Sequence, residues 1–113
     1  MSSIVLSYLA AHDFYTKTYG QKTIVLFRID SFYECYCTNT RGPNIYDICQ
    51  LLNIGMARRN ALNGDISESN PYMTGFPFAL LEKFIDLFIN NGFTVVVKEQ
   101  YDSDILIHSS HVF

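Results

Sequence analysis

Phe32 and Glu34 stand two residues apart in the run Ile24-Val25-Leu26-Phe27-Arg28-Ile29-Asp30-Ser31-Phe32-Tyr33-Glu34-Cys35-Tyr36. In an extended strand, residues i and i+2 share a face, so this ring and this carboxylate would stand side by side while Tyr33 and Cys35 face the other way. An apolar ring can wedge between stacked bases, and a carboxylate can hydrogen-bond a base edge. Together they suit recognition of damaged or mispaired duplex. An aromatic followed by an acid also occurs on purely structural strands, so the surroundings must decide.

Other groups allow other chemistry. Asp30, Glu34, Asp47, Glu82, Asp86 and Glu99, with Lys98, hold enough carboxylates and a lysine to surround a magnesium ion, as a metal-dependent nuclease requires. Their spacing follows no diagnostic pattern. Arg58 and Arg59 are the only adjacent basic pair and would suit phosphate contacts, or simply a solvated edge. Cys35, Cys37 and Cys49 are odd in number and lack paired C-x-x-C spacing, which fits free thiols in a reducing intracellular compartment better than a disulfide frame or a zinc site. The sequence contains no Gly-x-x-x-x-Gly-Lys-Ser/Thr phosphate loop, so no ATP hydrolysis by that route is expected of this chain.

The whole-chain composition narrows the classes further. A chain of 113 residues, 49% hydrophobic and 17% charged, has the length of one domain and enough apolar residues for a sizeable core. Its apolar runs fall far short of the roughly 18 residues a membrane span needs, and no basic segment precedes the apolar amino terminus as in a secretory signal. Eight Lys plus Arg against eleven Asp plus Glu leave a net charge of −3. That balance argues against autonomous DNA binding, because affinity for phosphates comes from cations. It leaves open a third class, a protein-interaction module without DNA contact.

The elements that must position these residues follow from periodicity. Ile4, Tyr8, Ala11, Phe14 or Tyr15, and Tyr19 predict a helix over 3–19 with an aromatic core stripe, ended by Gly20. Residues 23–29 and 32–38 predict two strands joined at Asp30-Ser31. A short helix is expected from Ile45 to Asn53 with Asn44 as its cap, then a short strand over 55–60 and an exposed loop over 63–70. Residues 71–77 read as a lead-in to a strong helix over 80–92, with Leu81, Phe84, Ile85 and Phe88 on its apolar face and Gly92 closing it. A strand over 94–99 and an edge strand over 104–108 complete an α/β (α+β) fold, in which about three helices flank a mixed sheet of about five or six strands.

In this order the segments resemble the amino-terminal mismatch-recognition domain of MutS-family DNA repair proteins. The resemblance rests on Ile29-Asp30-Ser31-Phe32-Tyr33-Glu34 for a Gly-Asp-Phe-Tyr-Glu-like turn, Leu51-Leu52-Asn53-Ile54 for a helix end, and Arg58-Arg59-Asn60 for a Lys-Arg-Gly-like stretch. It continues through Tyr72-Met73-Thr74-Gly75-Phe76-Pro77-Phe78, the helix over 80–92, and the strand ending in Glu99-Gln100, so it covers roughly Leu6 to Gln100. The chain departs from the pattern at Asp30-Ser31, where the family has Gly-Asp; at Ala79, where it has His; and at Asn60, where it has Gly.

The resemblance implies a single non-catalytic domain over 1–113, belonging to a larger protein whose other domains clamp DNA and bind ATP and magnesium, and which is a dimer. It implies no cofactor or metal in this chain. Its partner would be double-stranded DNA with mispairs or small loops. Phe32 would be the wedge and Glu34 the base contact, accepting from a base N–H or, if protonated, donating to a base acceptor. Arg58 and Arg59 would contact phosphates, Ile29 would brace the wedge, and Met73 would buttress the Phe32 loop or touch DNA.

Overall fold

A computed structural model describes residues 3–58, 62, 64–99 and 110–113. Among them, three α-helices flank a six-stranded mixed sheet. The strands are β1 (Thr23–Ile29), β2 (Phe32–Cys37), β3 (Ala57–Arg58), β4 (Tyr72–Pro77), β5 (Thr94–Lys98) and β6 (Ser110–Val112), laid side by side in the order β3-β4-β2-β1-β5-β6. Only the β1–β5 pair is parallel. The helices are α1 (Ser3–Tyr19), α2 (Ile45–Leu52) and α3 (Leu81–Asn90), the last entered through a 3₁₀ turn at Phe78–Leu80.

Strand alternation sorts the side chains into two layers. The register places Phe27 opposite Glu34 and Glu34 opposite Gly75, so these three share a face with Val25, Tyr36 and Lys98. Helix α1 covers part of that face: its Tyr8 meets the rings of Phe27 and Tyr36 edge-on, at centroid distances of 5.1 and 5.4 Å. The opposite face carries Leu26, Tyr33, Cys35, Phe76, Val95 and Val97, and α2 and α3 cover it. There Phe76 meets Phe84 of α3 edge-on at 4.7 Å. β1 and β5 are buried on both sides, which is why each reads as a continuous apolar run.

Local chemistry sets the ends of the helices as the sequence suggests. Asn44 caps α2 by accepting from the Asp47 amide at 3.1 Å, and Asn53 ends it in the left-handed region at φ 57°. Gly92, at φ 84°, closes α3 with its amide donating to the Ile89 carbonyl. Ile45, Ile48, Cys49 and Leu52 are all buried, as are Phe84, Ile85 and Phe88. The three cysteines are buried free thiols, and burial raises the pKa of Cys35 and Cys37.

The structure corrects three local expectations and leaves a fourth outside the described residues. Residues 72–77 form β4, a full six-residue ladder with β2, where the sequence reads as a lead-in: Gly75 and the prolines at 71 and 77 mask the strand pattern. The α1 stripe is only partly core: Tyr15 packs against the core, whereas Phe14 and Tyr19 are 62% and 48% exposed. The strand expected over 55–60 is limited to Ala57–Arg58 among the described residues, with Asn60 outside them. The edge strand expected over 104–108 also falls outside the described residues, and Ser110–Val112 pairs with β5. No helix among the described residues is long and apolar enough to cross a membrane.

Phe88 has no exposed surface and packs against Phe93 at 5.4 Å, joining α3 to the sheet. Phe88→Ala should therefore lower the unfolding free energy by about 3–5 kcal/mol, read from urea denaturation with an unchanged slope.

Candidate nucleic-acid interface

Two cross-strand rows at one end of the α1-side face hold the residues singled out by sequence. The rim row is Ile29, Phe32 and Pro77, from β1, β2 and β4; directly behind it run Lys98, Phe27, Glu34 and Gly75. Helix α1 packs on β1 and β2, and among the described residues the β4–β3 side of this face is open at Ala57 and Pro77, which are exposed. Phe32 is 45% exposed at the rim, whereas its neighbour Tyr33 is 2% exposed on the other side. The alternation expected from sequence is therefore realised.

The turn carrying Phe32 is held from beneath. Asp30 adopts φ 54°, a left-handed conformation that Asp tolerates better than most side chains. Arg28, on the face opposite Phe32, donates from Nε to the Asp30 carbonyl at 2.7 Å, and the Phe78 amide donates to the Ser31 carbonyl at 2.8 Å. The Arg28 guanidinium lies over the rings of Phe78 and Tyr33, 4.6 and 5.5 Å from their centroids, and 3.6 Å from the Glu99 carboxylate. Tyr33 donates from Oη to both Glu99 oxygens at 2.8 and 2.9 Å. Burial raises the Tyr33 pKa, and the hydrogen bond to Glu99 raises it further, so the phenol remains a donor.

Glu34 is half-buried and accepts a hydrogen bond from the Tyr36 hydroxyl. Its stem crosses β4 where Gly75 has no side chain: a methyl there would lie 3.1 Å from Glu34 Cγ and 2.7 Å from the Tyr33 carbonyl oxygen. Lys98, in the same row, lies over the ring of Tyr15 of α1, 5.7 Å from its centroid.

The structure thus brings Ile29, Phe32 and Glu34 together, with Ile29 directly opposite Phe32. Met73 shares their face but stands opposite Tyr36, four positions along β4 from Pro77, the partner of Phe32. It packs on the core beside Tyr36. Arg58 lies opposite Tyr72 on the edge strand, in register with the other face, so it does not join the Phe32 cluster. Arg59 lies outside the described residues. Sequence reasoning missed two participants. Tyr36 was signalled by its i+2 spacing from Glu34, whereas Lys98, read in sequence only as a nuclease lysine, joins this row through a register opposite Phe27 that no sequence signal gives.

The carboxylates that a nuclease would gather are divided between the two faces. Glu34 stands on one and Glu99 on the other, where Tyr33 and Arg28 engage it. No group of three or more potential metal ligands occurs among the described residues.

The fold and site together define an α/β module that presents an aromatic ring at the open rim of its sheet, with a carboxylate one step behind. Residues 11–107 match the family model described as MutS domain I, and the chain belongs to that family. A DNA mismatch repair protein mutS homolog of Acanthamoeba polyphaga mimivirus is 34% identical over 100 residues, covering 87% of this chain and 9% of the relative. The DNA mismatch repair protein MutS of Staphylococcus aureus is 28% identical over 87 residues, covering 76% of this chain and 9% of the relative. The chain therefore spans about a tenth of the length of these curated relatives.

Gly75→Ala would push a methyl against a backbone oxygen that the β2–β4 ladder holds in place. It should destabilise the fold by about 1–3 kcal/mol in urea denaturation and displace the Glu34 side chain, seen as shifts of its side-chain NMR signals.

Proposed function

We propose that this chain is the reader domain, over residues 1–113, of a DNA mismatch repair ATPase, and that it recognises mispairs or small loops in duplex DNA without chemistry of its own. The observation that carries this reading is the half-exposed Phe32 ring at the rim of a braced sheet, with Glu34 behind it on the same face. Phe32 enters the minor groove at the defect and stacks on one base, kinking the duplex. Unstacking a step costs a few kcal/mol, and less where the pair is already mismatched and flexible, so the difference in deformation energy supplies the discrimination. Glu34 makes a directional contact to the displaced base. It adds little to affinity, because phosphates repel it.

Ile29 braces the ring across the strand pair. Lys98 and Arg59 supply local phosphate contacts, with Arg58 at the neighbouring edge and Met73 lining the open face. Clamp and ATPase domains elsewhere in the full-length gene product, a dimer by the same reading, provide most of the grip as well as the ATP and magnesium sites. The reduced, buried thiols suit an intracellular compartment.

With eleven acidic and eight basic residues, the 113-residue chain alone should bind matched duplex only weakly at physiological salt, with a Kd above about 100 µM by NMR titration. Nanomolar binding would place the grip in this domain and refute the division of labour.

Phe32→Ala in the full-length gene product should abolish the preference for mispaired over matched duplex in fluorescence anisotropy. Because the ring is half in solvent, stability should fall by less than about 1 kcal/mol. Surviving preference, or an unfolded variant, sinks the wedge assignment. Glu34→Gln should raise affinity for both duplexes by relieving repulsion and narrow the gap between them, and Glu34→Ala should lower mispair affinity relative to Gln. Unchanged discrimination in both would reduce Glu34 to a solvated strand residue.

A further inference from the structure

The fold reaches Glu34 through Tyr36. The Tyr36 hydroxyl donates to Oε1 of Glu34, while its ring is 4% exposed and packs edge-on against Tyr8 at 5.4 Å. Tyr8 is anchored in turn: it has no exposed surface, and its own hydroxyl donates to the Val25 carbonyl at 2.8 Å. An ordered path therefore runs from α1 and the centre of the sheet to one oxygen of the carboxylate. On the other side, the bare Gly75 backbone gives the Glu34 stem a lane that a larger residue would close.

We propose that Tyr36 is a positioning residue, whose hydroxyl fixes the Glu34 carboxylate through Oε1 before DNA arrives and leaves Oε2 for the base. This rests on the reading of Glu34 as the base contact. A glutamate on an open strand face rotates about three side-chain torsions, and a contact made from that ensemble loses the freedom on binding. Holding one oxygen in advance removes that loss and confines the other to a narrow range of directions. Tyr36 touches no base in this arrangement and acts only through Glu34.

Tyr36→Phe tests the proposal because it keeps the ring and removes only the hydroxyl. In the 113-residue chain without DNA, side-chain NMR couplings of Glu34 should report one rotamer in the native sequence and averaged rotamers in Tyr36→Phe. In the full-length gene product, Tyr36→Phe should lower the ratio of mispaired to matched affinity by roughly fivefold. It should lower it no further in a Glu34→Ala background, since the effect passes through that carboxylate. The thermal midpoint should stay within a few degrees of the native value, which separates positioning from a packing role.

Three results would overturn the proposal: unchanged Glu34 couplings, a loss of discrimination that persists in the Glu34→Ala background, or a rise in discrimination, which would mean that the hydroxyl restrains Glu34 from the base. If Glu34→Ala alone leaves the ratio unchanged, the base contact itself fails. The couplings then still decide whether Tyr36 holds Glu34, so the two failures are separable.

Discussion

The two-residue alternation of β2 is the constraint on which the rest of the structure depends. One six-residue strand sends Tyr33, Cys35 and Cys37 into the core beneath α2 and α3 and sends Phe32, Glu34 and Tyr36 to the other face. A slip of one residue would bury the carboxylate and expose the core rings, so the apolar residues that stabilise the fold also fix the direction of the polar ones. The ladder to β4 holds that register over the whole strand, and the ladder to β1 holds it again from Phe32 to Glu34. Site and core are thus specified by the same pairing.

Arg28 converts this register into a rigid rim. A two-residue turn with a non-glycine residue at φ 54° carries roughly 1 kcal/mol of backbone strain, and the surrounding contacts must offset it. Arg28 does so from the far face, combining a hydrogen bond to the turn with cation–π contacts to Phe78 and Tyr33 and an ion pair to Glu99. The departure from the family's Gly-Asp pattern falls at this residue. Asp30 supplies by tolerance, under restraint, the conformation that glycine adopts freely. Under the proposed reading, a wedge that bends DNA needs such a mount, because a ring on a pliant turn would yield before the base step did.

Much of this was legible in the residues. Helix boundaries followed from Gly20, Asn44 and Gly92, and the Phe32–Glu34 face followed from period two. The misses share a physical cause, namely that the decisive partner lay far away in sequence. β4 has weak intrinsic strand character because Gly75 and Pro77 contribute little, yet the bare Gly75 backbone is what its neighbour Glu34 requires, and the ladder with β2 outweighs propensity. Phe14 and Tyr15 both fit the helical period, and only packing decides between them: Tyr15 lies against the core and Phe14 is exposed, as is Tyr19. The register of Arg58 on the edge strand, which turns it to the opposite face from Phe32, is likewise set by a partner distant in sequence. Sequence carries the alternation of each strand but not its pairing offset.

The acidic balance of the chain then follows a physical logic under the proposed reading. Contacts between cations and phosphates strengthen matched and mispaired duplex alike, so they add affinity without discrimination. A ring that must unstack a base step acts differently, because its cost depends on how weakly that step is held. A domain whose task is the difference gains little from surplus lysine and arginine, which would retain the protein on intact DNA for longer at each encounter. Concentrating phosphate contacts in other domains and leaving this one with a braced ring and a restrained carboxylate keeps its contribution differential. Glu34 fits the same logic: its repulsion from the backbone weakens binding everywhere, and its hydrogen bond repays that only where a base has been displaced to meet it.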